Sequence, residues 1–446
     1  LYLKQHLQTH KDLYLILISW PIVGAILPVP AAIGWAVITF LLLLRTGAYS
    51  KILLALLTIL LFSDSYLKPL SFASAAKIAV VVLLFLHIVT NFQKFKKYSN
   101  APFVSFAPFL VYILLTNFWA QDFFTVVQKT VSYGIMFFLA PLIYLKAHDD
   151  SKTCWKDIIM FYGVFLAAGL ILYFISPEAG TLADRFRGLM GNPNGMGTLL
   201  TLVAVLFFLF YQRHKTFFLD RPSVIFFVVV FVISLLLCGS RTALFAILIF
   251  LGFTRIRYFS NFVTLGVFVI LMFSYNYIMT MVPEIAASLG LSEYLRVETL
   301  DEGSGRFVAW AFAWEQVQNV FFTGGGFGYT EFLYKKYYTY LSVLGHEGNA
   351  HNSYLTLWLD TGLLGILLFA AGLIRIILRV VKTSAYALPV FYSFLFSANF
   401  ESWLAASLNP FTSLLLVSLT LLSQGDVIPL DRATSEQPAE IKPEIQ

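Results

Sequence analysis

The stretch 223–256, SVIFFVVVFVISLLLCGSRTALFAILIFLGFTRI, decides the fold. Two apolar runs, 223–238 and 242–256, meet at the short turn Gly239-Ser240-Arg241-Thr242. Neither run alternates polar with apolar residues, as a membrane barrel strand of about 9–11 residues would, and both approach the length a helix needs to cross a bilayer. The same pattern fills most of the chain. Apolar runs fall at 12–28, 31–45, 52–64, 76–92, 102–118, 125–145, 157–175, 195–211, 223–238, 242–256, 261–281, 352–374, 386–400 and 408–423. The third and thirteenth are short, and the first two share a turn at Pro28 and Pro30, so the expectation is 12–14 transmembrane helices. Composition agrees. The 446 residues are 59% hydrophobic and 12% charged, with a mean hydropathy of +0.79, too apolar for a soluble fold to cover with polar surface. The fold class is all-α, a polytopic membrane helix bundle solvated by lipid, and the 45 Phe and 23 Tyr suit gap filling between helices and anchoring at headgroups.

Basic residues orient the bundle, because Lys and Arg in short loops stay on the cytoplasmic side. Alternate loops hold Lys4 and Lys11; Arg45 and Lys51; Lys94, Lys96 and Lys97; Lys146, Lys152 and Lys156; Arg213, Lys215 and Arg221; Arg255 and Arg257; Arg375, Arg379 and Lys382; and Arg432 with Lys442. These are 20 of the 30 basic residues, in register with every second span, which places both termini in the cytoplasm. The organisation expected is N-terminal transmembrane helices over 1–175, a half over 176–424 that carries the chemistry, and a disordered cytoplasmic tail over 425–446, polar and without apolar periodicity. Cys154 and Cys238 fall at opposite membrane faces, which argues against a disulfide. The start at Leu1, with no small-residue cleavage pattern after the first apolar run, reads as a trimmed start rather than a signal peptide.

The outer face is less generic. Residues 282–350 form a long insertion with eight acidic and four basic residues, long enough to fold and expected to be partly helical. Within it Phe307, Trp310 and Trp314 recur at helical spacing, as in a helix lying at the interface and capping the bundle.

Three constellations there carry cations. The first, DRFRGLMGNPNGMG over 184–197, offers two guanidinium forks, Arg185 and Arg187, before a helix opened by Asn192 and Asn194. A guanidinium matches a phosphate bidentately, and a helix start supplies outward N–H groups. The second is Arg241 in its near-zero-length turn, a boundary Arg of the kind that marks function in membrane proteins. The third runs from Gly303-Ser304-Gly305-Arg306 through the glycine run 324–328 (GGGFG), read as a flexible turn, to GHEGNAHNSYL over 345–355. There His351 stands at the mouth of a span, flanked by His346 and Asn352, and imidazole suits proton transfer near neutral pH. His346, Glu347 and His351 do not make a metal helix, because the spacing exceeds HExxH by one and Gly348 interrupts it, so no metal and no cofactor are expected. Lys129 lies just inside the outer end of the sixth span, either snorkelling or lining a cavity. Contact with lipid headgroups is the plainer reading of each cation taken singly. Taken together they share one face, and a common anionic ligand at the membrane surface, a lipid-linked phosphate or diphosphate, explains that economically.

These stretches (RFRGLMGNPNGMG, GSRT, SGR with a Trp-containing helix and GGGFG, and HNSYLTLWLDTGLLG) resemble, over about 180–380, the O-antigen ligase and polymerase family of bacterial membrane glycosyltransferases. The chain departs from the family pattern at Phe322-Thr323, where Pro often precedes the glycine-rich turn. The resemblance implies a GT-C-like enzyme whose donor is an undecaprenyl-diphosphate-linked glycan and whose acceptor is a sugar hydroxyl of a lipid-linked repeat or of lipid A core, on the periplasmic face. It implies that Arg241 and Arg306 hold the diphosphate, that Arg185 or Arg187 assists, and that His351 is the base or orients the acceptor. Nucleic acid is not a partner on this reading. No acidic DxD-like pair lies beside the arginines, so transfer is expected to be metal-independent and, with no carboxylate placed as a nucleophile, inverting. Polymerase is the first reading and ligase the alternative. A flippase for the same lipids is the rival from another class, disfavoured by the long outer insertion and the absence of visible repeats; a non-enzymatic glycan-binding scaffold is the third.

Overall fold

The computed structural model describes residues 2–98, 102–214, 218–288, 290, 292, 306–346, 348–404 and 408–424. The 425–446 tail and Glu347 lie outside the described residues. Helices follow one another in the order α1 Tyr2–Thr9, α2 Lys11–Ile26, α3 Val29–Thr46, α4 Tyr49–Ser63, α5 Ala73–Thr90, α6 Phe92–Phe95, α7 Ala107–Leu115, α8 Phe123–Asp150, α9 Cys154–Ile175 and α10 Pro177–Gly180. Then come α11 Pro193–Arg213, α12 Arg221–Cys238, α13 Arg241–Arg255, α14 Asn261–Ser288, α15 Arg306–Val317, α16 Tyr329–Lys336, α17 Tyr338–Val343, α18 Ser353–Val380, α19 Ala387–Ala398 and α20 Pro410–Ser423. Among the described residues the strands are a two-residue pair, β1 Thr181–Leu182 and β2 Arg185–Phe186.

Every one of the fourteen apolar runs coincides with a helix, the fifth with α7 and its flanking 3-10 turns over Val104–Trp119. Among the described residues seven helical stretches are long and apolar enough to cross a membrane: α3, α5 with the turn preceding it, α8, α9, α11, α12 and α18. Shorter apolar helices include α4, α19 and α20. The chain is an all-α polytopic membrane protein.

The starts of these helices follow from their sequence. Asp122, Asn192, Asp220, Asn352 and Asn409 each accept a hydrogen bond from a backbone N–H of the turn they precede. Pro193 and Pro410 occupy the first helical position, where a missing N–H costs nothing. Gly47 and Gly239 end α3 and α12 in the left-handed conformation. Burial separates interior helices from lipid-facing ones. From Pro410 to Leu422 every residue of α20 is buried, as is every residue of α4 from Ile52 to Leu61. On α12 and α14, by contrast, Ile225, Val229, Leu236, Phe262 and Ile270 turn outward.

The outer insertion has its own core. Ala309, Phe312, Ala313 and Val317 of α15 pack with Leu333 and Tyr334 of α16 and with Leu359 of α18. Phe307 and Trp314 stay exposed, so α15 buries its small-residue face and presents aromatic rings outward, as a helix at the interface would.

The glycine run is the main departure from expectation. Rather than a flexible turn, it is docked into a break in α18. At Gly362 (φ 66°, ψ −175°) the helix opens, and the released backbone groups pair with the incoming segment. Gly325 N donates to Leu359 O (2.8 Å), Gly326 N to Asp360 O (3.0 Å), Leu363 N to Phe321 O (2.8 Å) and Leu364 N to Phe322 O (3.2 Å). Asp360 then accepts from Gly328 N (2.8 Å), Thr330 N (2.7 Å) and Thr330 Oγ1 (2.6 Å), which starts α16. Away from bulk water each of these groups must find a partner inside the protein. Glycine is required because a Cβ on Gly324 would lie 2.4 Å from Asp360 O and one on Gly362 2.3 Å from Phe322 O. Gly362→Ala is therefore expected to lower the melting temperature of the detergent-solubilised protein sharply or to prevent its accumulation, since strain of about 1–3 kcal/mol at such a φ/ψ adds to the clash. Gly34→Ala, where an added Cβ meets nothing within 4 Å, is expected to leave melting unchanged; equal melting of both variants would contradict the docked arrangement.

Candidate active site

At the start of α18 the chain is sewn to the loop after α19. Asn352 caps the helix, accepting from Tyr354 N (2.9 Å) and Leu355 N (3.0 Å), while its own N–H donates to Ser402 Oγ (3.0 Å). Ser353 Oγ donates to Glu401 O (2.6 Å) and accepts from Leu404 N (3.1 Å). These bonds place the Glu401 side chain between two candidate residues. Arg306 Nη2 donates to Glu401 Oε1 (2.8 Å), and His351 Nδ1 lies 3.2 Å from Glu401 Oε2.

The protonation logic follows from these contacts. Burial would raise the Glu401 carboxyl, but the hydrogen bond and charge of His351 and the Arg306 guanidinium outweigh it and hold it below the usual Glu range. An ionised Glu401 takes the Nδ1–H of His351, which leaves the Nε2 lone pair as the basic atom, as a carboxylate does for imidazole in acyl-transfer triads. Because the folded value is depressed, the stabilisation from Glu401 is complete above its unfolded value of about 4.3 and is lost as pH falls through the lower folded value. His351 itself adopts φ 43°, and its N–H donates to Asn349 Oδ1 (2.8 Å). A left-handed conformation at a non-glycine residue persists only where its surroundings enforce it.

His346 is buried and perpendicular to His351, with ring centroids 5.8 Å apart. Its Nε2 lies 3.0 Å from Asn349 O, and burial, followed by the proximity of His351, lowers its pKa. His346 thus supports the ring of His351.

The second cluster surrounds the turn 238–241. The hairpin of β1 and β2, turned by Ala183 and Asp184 both at positive φ, aims Arg185 at this turn. Arg185 Nε donates to Cys238 O (3.0 Å), and its Nη2 donates to Asn194 Oδ1 (3.2 Å) and Gly239 O (3.4 Å). Arg241, half-buried, is the first residue of α13, which Ser240 caps through Ala243 N. The helices α13 and α19 pack side by side, with Ser393 Oγ donating to Ala246 O (2.8 Å), and Trp310 of α15 packs on the same cluster. Running in opposite directions, they bring Arg241 at the start of α13 and Glu401 just beyond α19 to one end of the bundle.

Two expected residues stand apart. Arg187 is 6% exposed; it donates to Ala179 O and Gly191 O (3.3 Å each) and lies over the Tyr66 ring, so it fastens its own loop while Arg185 serves the turn. Lys129 pairs with Glu331 of α16 and lines a separate cavity of about 330 Å³ with Asp122, Tyr329 and Lys335. Asn192, also expected at the site, caps α11 by accepting from Gly195 N (2.7 Å). Glu401 was not anticipated. Its one available signal is that it is the only acidic residue between the last two apolar runs.

No curated protein matches the chain. Residues 225–370 match a family model described as O-antigen ligase, a segment that contains Arg241, Arg306, His346, His351 and Asn352 and leaves Arg185 and Glu401 outside it. Residues 225–370 of this all-α polytopic membrane chain are thus similar to the O-antigen ligase family.

Proposed function

We propose that the chain transfers a glycan from an undecaprenyl-diphosphate donor to an acceptor sugar hydroxyl at the extracytoplasmic face of the bacterial inner membrane, as a polymerase of surface polysaccharide, with 176–424 as the catalytic half. The bridge made by Glu401 between Arg306 and His351 carries this reading. It joins a positioned base to a cation that can receive an anionic leaving group. His351 Nε2 takes the proton of the acceptor hydroxyl as its oxygen bonds to the anomeric carbon. The bond from that carbon to the diphosphate oxygen breaks, and the electron pair leaves with undecaprenyl diphosphate. Arg306, Arg241 and Arg185 stabilise the charge that grows on it, which is where fixed cations speed a displacement most. One displacement inverts the anomeric centre, and three guanidinium groups supply the charge that a divalent metal would otherwise provide.

The family's printed description favours a second reading, ligation to lipid A core. Incubating the purified chain with undecaprenyl-diphosphate glycan, with and without core, separates the two. Lengthening without core supports polymerase, transfer only to core supports ligase, and neither product overturns the proposal.

Glu401 is a positioning residue, and Glu401→Gln is expected to lower kcat by roughly 10²-fold or more at little change in KM, because the amide no longer fixes the imidazole as a base at Nε2. Glu401→Asp is expected to recover part of the loss. A Gln variant with normal kcat would remove Glu401 from the mechanism.

A further inference from the structure

At the opposite ends of the membrane helices, three buried side chains converge on one point. His6 on α1 and His10 just after it keep one helical turn between them, His10 N donating to His6 O (2.9 Å), so their rings share a face. Asp157, in the first turn of α9, meets both: His6 Nδ1 lies 2.8 Å and His10 Nε2 3.1 Å from Asp157 Oδ1. The three donor atoms lie within 4.8 Å of one another. The residues are 1%, 2% and 6% exposed.

Ordinary hydrogen bonding accounts for two of the three. His6 Nε2 is 2.8 Å from Tyr14 Oη, and Asp157 Oδ1 accepts from Tyr2 Oη (2.9 Å). It accounts less well for buried His10, whose Nε2 lies 3.1 Å from Asp157 Oδ1 outside hydrogen-bonding geometry and whose Nδ1 has no partner. Buried imidazoles are otherwise almost always paired.

We propose that His6, His10 and Asp157 form a site for a divalent transition metal of the zinc type. Two imidazole nitrogens and one carboxylate oxygen suit zinc and its neighbours in the first row, whereas magnesium and calcium prefer oxygen alone. Donors bound tetrahedrally to one zinc at about 2.0–2.1 Å lie roughly 3.3 Å apart, so the separations of 2.8 and 3.1 Å to Asp157 Oδ1 need only small widening. Tyr14 completes the arrangement. By accepting the Nε2–H of His6, its hydroxyl fixes the tautomer that presents the Nδ1 lone pair, a common outer-shell device at metal sites. Bound there, the metal ties α1 to α9. The same terminal helix is held to α12, Tyr2 N donating to Asp220 Oδ1 (2.7 Å) and Leu3 N to Ser223 Oγ (3.0 Å). The role is structural and independent of the transfer reaction.

The test uses the full chain purified without a histidine tag, stripped with chelator and re-equilibrated with zinc or cobalt. One zinc per chain is expected to survive gel filtration and raise the melting temperature, and cobalt is expected to give visible absorption of a four-coordinate N/O site. His10→Ala, which removes a ligand, is expected to weaken zinc affinity by more than the roughly 10- to 100-fold lost when a metal site loses an outer-shell partner, while leaving metal-free melting unchanged. Asp157→Asn is expected to weaken binding likewise. Cobalt absorption is read on the unaltered chain, so a variant that fails to fold leaves the test intact. Absence of bound zinc and of cobalt absorption in the unaltered chain, or equal zinc content in the unaltered chain and a folded His10→Ala variant, would overturn the site.

Discussion

His351→Ala is expected to abolish glycan transfer while the purified protein melts as before. A positioned general base contributes typically about 10²–10⁴-fold, or roughly 3–5 kcal/mol of barrier at 1.36 kcal/mol per decade. No neighbour takes over. His346 is buried, its Nε2 is committed to Asn349 O, and its pKa is lowered by burial and then by His351. Folding is spared because Glu401 keeps its bond to Arg306 (2.8 Å) after the imidazole is gone. Single-turnover kinetics with labelled donor should show donor bound and unconsumed. Turnover within a few-fold of normal would remove His351 from the chemistry.

Arg306→Ala is expected to act twice. Losing a preorganised cation at the leaving group costs about 10²–10³-fold in kcat. Breaking the pair also leaves Glu401 without its cation, and removing one member of a buried pair costs about 3–5 kcal/mol, discounted here because the Arg306 and Glu401 side chains keep 17% and 14% exposure. The double variant Arg306→Ala/Glu401→Gln separates the effects. It removes both charges, so melting should recover while transfer stays lost. Arg306→Lys should keep stability and recover only part of the rate, because a point charge cannot reproduce the planar fork. If the double variant regains transfer, the role of Arg306 is to compensate Glu401 and not to hold diphosphate.

Span placement was legible because lipid solvation forces long apolar runs and punctuates them with polar or glycine caps, and Asn192, Asn352 and Gly239 stand where those rules put them. The glycine run was misread for a long-range reason. Read locally, 324–328 is a flexible segment; its order comes from Leu359, Asp360 and Gly362, on a helix over thirty residues away. Glu401 was missed in the same way, since it reaches His351 across fifty residues and Arg306 across ninety-five. The two arginines of 185–187 look equivalent in sequence, yet β2 ends at Phe186, so Arg185 reaches the Gly239 turn while Arg187, beyond the strand, is buried against Ala179 O and Gly191 O. Asp157 lies about a hundred and fifty residues from His6 and His10, and only the packing of α1 on α9 brings it to them.

The central claim is that the Arg306–Glu401–His351 network drives bond formation at a lipid-linked glycan. Its most direct measurement follows, in one reaction of the reconstituted chain, new glycosidic bonds and released undecaprenyl diphosphate. One released diphosphate lipid for each new bond, with both lost in His351→Ala, is the predicted result. Labelled lipid-linked glycan crossing between leaflets with no new bond and no released diphosphate lipid would contradict it.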